Sequence, residues 1–135
     1  MSQFSIEIIT PERNFFSGEI ESISLTTLTG RIQILAHHIA YATGIMPCVI
    51  KIKQKGTIKY ATITGGFLEV TDNKAIILAD GAEWPQEIDV NRAEEAMKRA
   101  KEKLRTKDDN LDKRRAQLSL MRSLARIKIG ELTKH

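Results

Sequence analysis

The spacing of apolar residues changes once along this chain of 135 residues, and that change constrains its fold more than any other feature. Up to about Glu83, apolar and polar residues alternate in short segments, which is the period of a half-buried β-strand. After Trp84-Pro85, apolar residues recur every three or four positions, which is the period of an α-helix. The sequence therefore predicts an α+β protein. An N-terminal antiparallel β-sandwich over residues 1–84 is followed by a C-terminal two-helix antiparallel hairpin over residues 88–135.

The N-terminal part is predicted to contain many short strands separated by turns. Alternation marks residues 4–8, 19–25 and 49–53, among others, and polar turns such as residues 71–74 separate such segments. Short strands with frequent turn signals are typical of antiparallel sandwiches and barrels. Gly65-Gly66 permits a tight bend or a bulge between two strands, because glycine adopts backbone angles that other residues avoid.

The C-terminal part has a clear helix start. Pro85 ends the strand pattern, and Asp89 is a favourable N-cap for a helix that runs to about Thr106. A polar turn over residues 107–110 then leads into a second helix, which makes a hairpin. The side of the first helix that faces the second is a narrow stripe of mostly small residues: Ala93, Ala96 with Met97, Ala100 and Leu104. Such a seam buries little apolar surface, and buried apolar surface contributes roughly 25 cal/mol per Å². We therefore expect the hairpin to be detachable.

The second helix is basic over residues 113–130, a segment with six Lys or Arg residues and no acid. Leu118, Leu124 and other apolar residues recur as on one side of a helix. Arg122 and Arg126 lie four residues apart with no acid between them, an arrangement that destabilises an isolated helix. Two interpretations remain open: a solvated basic face, or a helix that meets an anion or an acidic partner.

Charge and composition narrow the class of protein. Residues 1–87 carry seven Lys or Arg and nine Asp or Glu, whereas residues 88–135 carry fourteen and eight. No run approaches 18 apolar residues, so we expect neither a membrane span nor a signal peptide. Cys48 is the single cysteine, and its apolar setting predicts a buried, inert thiol in a reducing compartment.

No residue pattern supports an enzyme. A phosphate-binding glycine loop, a set of Cys and His with metal spacing, and a Ser/His/Asp arrangement are all missing from the sequence. His37 and His38 are adjacent in an extended loop, so they favour surface contact over metal ligation.

The helices instead predict an anion site. Arg92 and Arg99 share a face of the first helix, and Arg122 and Arg126 share a face of the second. Convergence of these four guanidinium groups would suit phosphates. Glu83 and Asp89 precede the first helix, where their carboxylates can accept hydrogen bonds from ribose hydroxyls or an adenine amine. Simpler roles stay open: Asp89 as an N-cap only, Arg99 paired with Glu95, and Arg92 solvated.

Several segments resemble one family over essentially the whole chain. Residues 64–70 and 75–83, TGGFLEV and AIILADGAE, are similar to the end of the sandwich in epsilon subunits of F-type ATP synthases. Residues 88–96, IDVNRAEEA, resemble the Ile/Leu-Asp-x-x-Arg-Ala motif of bacterial epsilon subunits that bind ATP. The opening residues 8–13, IITPER, and the order of sandwich and helices fit as well.

This resemblance implies a non-catalytic rotor subunit at the cytoplasmic face of a bacterial membrane. The sandwich would hold the gamma subunit and contact the c-ring. The hairpin would be mobile, inhibiting ATP hydrolysis when extended along gamma towards the alpha and beta subunits. ATP, a regulatory ligand and not a required cofactor, would stabilise the folded hairpin. The family's ATP site corresponds to Glu83, Ile88, Asp89, Arg92, Ala93, Arg99, Arg122 and Arg126, and the contact with beta to Arg114, Arg115, Arg122 and Arg126.

The c-ring loop departs from the family pattern. The resemblance assigns Arg31, His37 and His38 to this loop, but Gln33, Ala36 and Ala40 replace a glycine and two prolines. Arg31 also stands where an acid is common. Two alternatives remain: the same subunit without a working nucleotide site, or a nucleic-acid-binding module whose affinity would fall steeply with salt.

Overall fold

The computed structural model describes residues 2–106 and 110–133, apart from the side chain of Leu111. A 3-10 turn over Pro85–Glu87 joins an N-terminal β-domain to two helices, α1 Val90–Thr106 and α2 Asn110–Leu132. The predicted α+β order is confirmed, although residues 107–109 of the predicted polar turn lie outside the described residues. The β-domain contains β1 Phe4–Ile9, β2 Asn14–Ile20, β3 Ser22–Thr27, β4 Gly30–Leu35, β5 Tyr41–Ile45, β6 Cys48–Gln54, β7 Thr57–Ile63, β8 Gly66–Thr71, β9 Lys74–Ala79 and β10 Ala82–Glu83.

Hydrogen bonding links the strands in the order β10-β7-β6-β3-β5-β8-β9-β1-β2, and β4 pairs with β3. One pairing differs from the antiparallel prediction, because β1 and β9 run parallel, with Ile6 opposite Ala75 and Ile8 opposite Ile77. Parallel neighbours need a long connection between them. Here that connection is the whole chain between β1 and β9, which no local sequence pattern could reveal.

Alternation along the strands builds one apolar core. In β1, Phe4, Ile6 and Ile8 are buried while the residues between them are half-buried. All the fully enclosed residues of the main core lie between Phe4 and Ala79, with Trp84 packed against its edge. The sandwich therefore has a complete core without the helices.

Residues 19–25, predicted as one strand, belong to two strands. β2 ends at Ile20 and pairs with β1, whereas β3 begins at Ser22 and pairs with β4 and β6. Glu21 lies at the break, where its Oε1 accepts a 2.9 Å hydrogen bond from the Gly56 backbone N–H. The polar pair Glu21-Ser22 interrupts strict alternation, and it is the signal that the single-strand interpretation overlooked.

Gly65 and Gly66 lead into β8 with φ angles of 122° and 153°. A Cβ on Gly66 would overlap the carbonyl oxygen of Leu78 on the paired strand β9. The predicted tight bend is confirmed, and it brings the start of β8 close to β9.

The two helices pack through small residues. Ala93 and Ala100 are buried on α1, and Ala116 and Ser123 are buried on α2. A Cβ on Gly130 would lie 3.0 Å from Cγ2 of Val90, so glycine permits close approach of the two helices there. The small-residue seam predicted for α1 is thus present in the structure.

The hairpin is docked on the sandwich through α2. Ala125 and Ile129 form a small buried cluster with Val49 of β6, and Tyr60 and Ile88 pack against it. The single apolar stripe predicted for α2 is wrong, since the buried residues divide between a side facing α1 and a side facing the sandwich. Leu124, which was expected in that stripe, remains 45% exposed.

Candidate functional site

Glu83 is placed by the shortest strand of the sandwich. In β10, Glu83 lies opposite Thr62 of β7, so its position is fixed by backbone pairing. Its Oε1 accepts hydrogen bonds from Thr62 Oγ1 at 3.3 Å and from Arg126 Nε at 2.7 Å. The carboxylate therefore joins the end of the sandwich to α2.

Asp89 caps the N-terminus of α1. Its Oδ1 accepts a 3.2 Å hydrogen bond from the backbone N–H of Arg92, and its carbonyl oxygen accepts one from Ala93 at 3.1 Å. The predicted N-cap is confirmed. Because the cap uses Oδ1, the geometry leaves Oδ2 for other donors.

A cavity of about 390 Å³ opens between the end of the sandwich, α1 and α2. Seven of the eight residues predicted from the sequence for an ATP site line it. No ion pair between described residues involves Arg92 or Arg99, so the alternative in which Arg99 simply pairs with Glu95 does not hold. The lining residues are Glu83, Glu87, Ile88, Asp89, Arg92, Ala93, Ala96, Arg99 and Arg126.

Arg122 lies apart from these residues. It lines a different cavity beside Gly66 and Asp80, at the opposite end of β8 and β9 from their hairpin turn. Four residues correspond to about 6 Å along a helix, so α2 displaces Arg122 from Arg126 by a full turn. The predicted convergence of four guanidinium groups is therefore found for three: Arg92, Arg99 and Arg126.

Glu87 lines the cavity but was not predicted. Its Oε1 accepts a 2.8 Å hydrogen bond from Arg13 Nη2 and another, also 2.8 Å, from the backbone N–H of Trp84. These two bonds, with the Arg13 bond the stronger influence, lower the pKa of Glu87. The sequence signal was a glutamate three residues after the start of a turn, which is the spacing of a capping box.

The residues assigned to a c-ring loop lie in two places. Arg31 is near the start of β4, whereas His37 and His38 follow its end, and the extended strand from Arg31 to Leu35 alone spans about 13 Å. Arg31 Nη1 donates to the Val49 carbonyl at 2.7 Å and to Thr26 Oγ1 at 3.2 Å. Arg31 therefore lies in strand β4, beside a groove under α2, and not in the same loop as the histidines. Contact of these residues with a c-ring stays a prediction.

His37 and His38 are tied into their loop by local bonds. His37 has a left-handed backbone, with φ of 64°, and its N–H donates to Asn73 Oδ1 at 2.7 Å. His38 Nδ1 lies 2.7 Å from the carbonyl oxygen of Ile39, and its ring packs near Tyr41. Within residues 2–106 and 110–133, His, Cys, Asp and Glu form no cluster suited to a metal.

The cations of α2 differ in exposure. Arg114 and Arg115 are exposed near the start of the helix, while Arg122 and Arg126 are half-buried against the sandwich. A surface built from all four would require α2 to leave the sandwich. Neither helix, over the described residues, is long and apolar enough to cross a membrane.

Fold and site together define a β-sandwich subunit that carries a docked helical hairpin. Residues 3–85 match the family model for the β-sandwich domain of the ATP synthase delta/epsilon chain, and residues 86–131 match the model for its long α-helix domain. The chain therefore belongs to the ATP synthase delta/epsilon chain family, and it is a non-catalytic subunit of that complex.

Relatives refine this assignment to the epsilon type. The chain is 46% identical to the ATP synthase epsilon chain of Clostridium novyi (strain NT) over 127 residues, which cover 93% of this chain and 96% of the relative. It is 45% identical to the epsilon chain of Caldanaerobacter subterraneus subsp. tengcongensis, covering 94% and 93% of the two chains.

Solved structures share the fold at low sequence identity. A chain of the Euglena gracilis mitochondrial ATP synthase superposes with a TM-score of 0.83 at 19% identity, covering 98% of this chain and 82% of that one. A chain of the Tetrahymena thermophila mitochondrial ATP synthase central stalk and c-ring gives 0.73 at 17% identity, covering 96% and 97%. These likenesses support the arrangement of sandwich and helices.

Proposed function

We propose that this chain is a rotor subunit in the central stalk of a bacterial F-type ATP synthase. Its sandwich contacts the gamma subunit and the c-ring, at the cytoplasmic face of the membrane, and so takes part in coupling ion flow to ATP synthesis. Support comes from the epsilon-chain relatives and from a structural neighbour whose complex is described as a central stalk with its c-ring.

The cavity beside Glu83 is proposed to bind ATP without hydrolysing it. Arg92, Arg99 and Arg126 supply guanidinium groups, which bind phosphate oxygens in a planar and often bidentate manner. Arg126 bonds Glu83 through Nε, so its two terminal nitrogens can reach phosphate oxygens. Oε2 of Glu83 and Oδ2 of Asp89 are the acceptors for ribose hydroxyls or the adenine amine.

ATP in this cavity would hold the hairpin on the sandwich. The walls come from both parts, with Glu83 on β10, Arg92 on α1 and Arg126 on α2. A ligand that binds only the docked form stabilises it by RT ln(1 + [L]/Kd), about 2.7 kcal/mol at a hundredfold excess over Kd. The buried cluster of Val49, Ala125 and Ile129 is small enough for a bias of this size to decide the state of the hairpin.

Release of the hairpin would expose the basic side of α2. Arg122 and Arg126, half-buried in the docked state, would then join Arg114 and Arg115 on one accessible surface. An acidic surface of the beta subunit is the proposed partner, and binding there would block ATP hydrolysis. Docked and extended hairpins thus correspond to permitted and inhibited hydrolysis.

The Glu83–Arg126 bond across the cavity is the observation that carries this proposal, and it also defines the second candidate. In that candidate the bond only holds α2 on the sandwich, and no nucleotide binds. Titration of the full chain with ATP, followed by Trp84 fluorescence and calorimetry, separates the two. Trp84 is a suitable reporter because its backbone N–H donates to Glu87 of the cavity and its ring stacks on Phe15 with centroids 4.3 Å apart. If the folded chain shows no heat and no fluorescence change at millimolar ATP, only the second candidate remains.

A further inference from the structure

A second cavity lies where α2 crosses β6 and β7, outside the proposed ATP site. It is an open groove of about 510 Å³ between the docked hairpin and the sandwich. Pro47, Val49 and Tyr60 form its sandwich wall, and Met121, Leu124 and Leu132 form its helix wall. We call it the α2 groove. The two walls meet at the small cluster of Val49, Ala125 and Ile129, and the side chain of Ala125 there is short.

The walls of the α2 groove keep large apolar side chains in contact with water. Leu124 is 45% exposed and Leu132 is 37% exposed, although both lie on the side of α2 that lines the groove. Covering such side chains releases roughly 25 cal/mol for each Å² removed from water. The groove therefore favours an occupant with a substantial apolar part.

Three cations stand around this apolar surface: Arg31 and Lys51 on the sandwich and Lys128 on α2. No carboxylate is among the lining residues in the described part of the chain. The ion pairs between described residues leave these three cations out as well. Arg31 is already oriented by its bonds to Val49 and Thr26. Binding of an anion to its remaining N–H groups would therefore cost little side-chain entropy. These three cations therefore favour a ligand with an anionic head group.

We infer that the α2 groove binds a single-chain anionic amphiphile of the fatty acid class. The alkyl chain lies along Met121, Leu124 and Val49, and the carboxylate meets Lys128 and Arg31. The groove volume lies within the range of small-molecule pockets, about 300–1,000 Å³. A protein partner would need about 800 Å² of matching surface on each side, far more than a groove of this size offers.

Binding there would act on the same hairpin as ATP. The occupant touches α2 and the sandwich at once, so it stabilises the docked hairpin by mass action. This consequence rests on the proposed mobility of the hairpin, whereas the binding itself does not. Fatty acid and ATP would then each raise the affinity for the other, since both favour one state.

The test uses the full chain and dodecanoate below its critical micelle concentration, with binding measured by calorimetry. We expect saturable binding to the wild-type chain and weakening of at least about tenfold in Lys128→Ala, which loses a charged hydrogen bond. The matched control Lys101→Ala removes a lysine from exposed α1 and should stay within about twofold. Equal weakening in both variants, or no saturable binding, overturns the inference.

Head group and location are tested separately. Dodecanol, which lacks the charge, should bind much more weakly than dodecanoate; equal binding would remove the role of the cations. Dodecyl phosphate distinguishes a phosphate-headed lipid, and its tighter binding would overturn the carboxylate assignment.

Cys48 lines the groove and is 7% exposed, so bound dodecanoate should slow its alkylation by maleimide. Unchanged alkylation at saturating dodecanoate would place the ligand elsewhere. Because none of these measurements uses ATP, their failure leaves the proposed function standing.

Discussion

Arg126 donates a 2.7 Å hydrogen bond from Nε to Oε1 of Glu83, and this bond closes one side of the cavity between sandwich and hairpin. Both side chains are about one-third exposed, so the pair by itself contributes little to stability, about 0–1 kcal/mol. Its consequence is positional: it holds one guanidinium group of α2 beside the two of α1.

Arg126→Ala should therefore weaken ATP binding more than Arg122→Ala. Arg126 lines the cavity with Arg92 and Arg99, whereas Arg122 lines another cavity one helical turn away. Removal of one charged hydrogen bond corresponds to about 1.5–3 kcal/mol, or roughly a 10- to 150-fold rise in Kd. Calorimetry of the two variants checks this, and an equal loss in both would mean that α2 attracts ATP through its overall charge.

Arg92→Ala should likewise raise the Kd for ATP more than Lys98→Ala. Arg92 lines the cavity, and Lys98 is exposed on α1 away from it. Both substitutions remove one positive charge, so the pair separates a defined site from general attraction. The same titration suffices, and the expected loss for Arg92→Ala is again about 1.5–3 kcal/mol.

Deletion of residues 88–135 should leave a folded sandwich that still joins the gamma subunit. The main core ends at Ala79, with Trp84 at its edge, so truncation removes none of it. In the assembled ATP synthase, hydrolysis should rise because the helix proposed to inhibit it is missing. Substituting Arg114, Arg115, Arg122 and Arg126 by Ala should act in the same direction. Normal assembly with unrelieved inhibition would contradict the regulatory role of the hairpin.

Ile129→Ala should release the hairpin without unfolding the sandwich. Ile129 is 1% exposed and lies in the small cluster with Val49 and Ala125. Such a truncation costs about 2–5 kcal/mol, and it weakens the cluster that packs α2 on the sandwich. Burial raises the pKa of the Cys48 thiol and shields it, so maleimide should label Cys48 faster in this variant. Ile39→Ala, at a site 78% exposed, is the control that should label at the wild-type rate.

The Arg13–Glu87 pair should stabilise the fold only above acidic pH. The pKa of Glu87 is lowered from its ordinary 4.5 by the Arg13 and Trp84 bonds, so the folded state binds the proton less tightly than the unfolded state. Its contribution is complete above about pH 4.5 and is lost as pH falls through the lowered pKa. Denaturant unfolding of wild type and Glu87→Gln from pH 7 to pH 3 should show a stability difference that shrinks with acid. A constant difference would exclude the titration of Glu87 as its cause.

The sequence predicts best those features that depend on interactions between residues close together in the chain. The alternation of β1 and the Asp89 cap both depend on neighbours within a few residues, and each is confirmed. The IDVNRA segment also located one wall of the cavity, since Ile88, Asp89, Arg92 and Ala93 lie together at the start of α1.

What the sequence did not reveal depends on contacts between distant segments. Helical spacing places Arg122 and Arg126 on one face, but only the docking of α2 on β6 and β7 decides which cavity each one lines. Arg31 was assigned to a c-ring loop, whereas it lies in β4 and bonds Thr26 of the paired strand β3 and Val49 of β6, which is 18 residues away. Glu87 was missed because its partner, Arg13, is 74 residues away.

The parallel pairing of β1 with β9 also sets an order of events during synthesis. One edge of β1 has no partner until residues as far as Ala79 have left the ribosome, so the sandwich cannot close early. Contacts this distant in sequence are slow to form, because a long loop must first be ordered. Once they form, the nascent chain holds every residue of the main core while the helices are still being made. The helical hairpin of this subunit is thus added to a structure that is already closed.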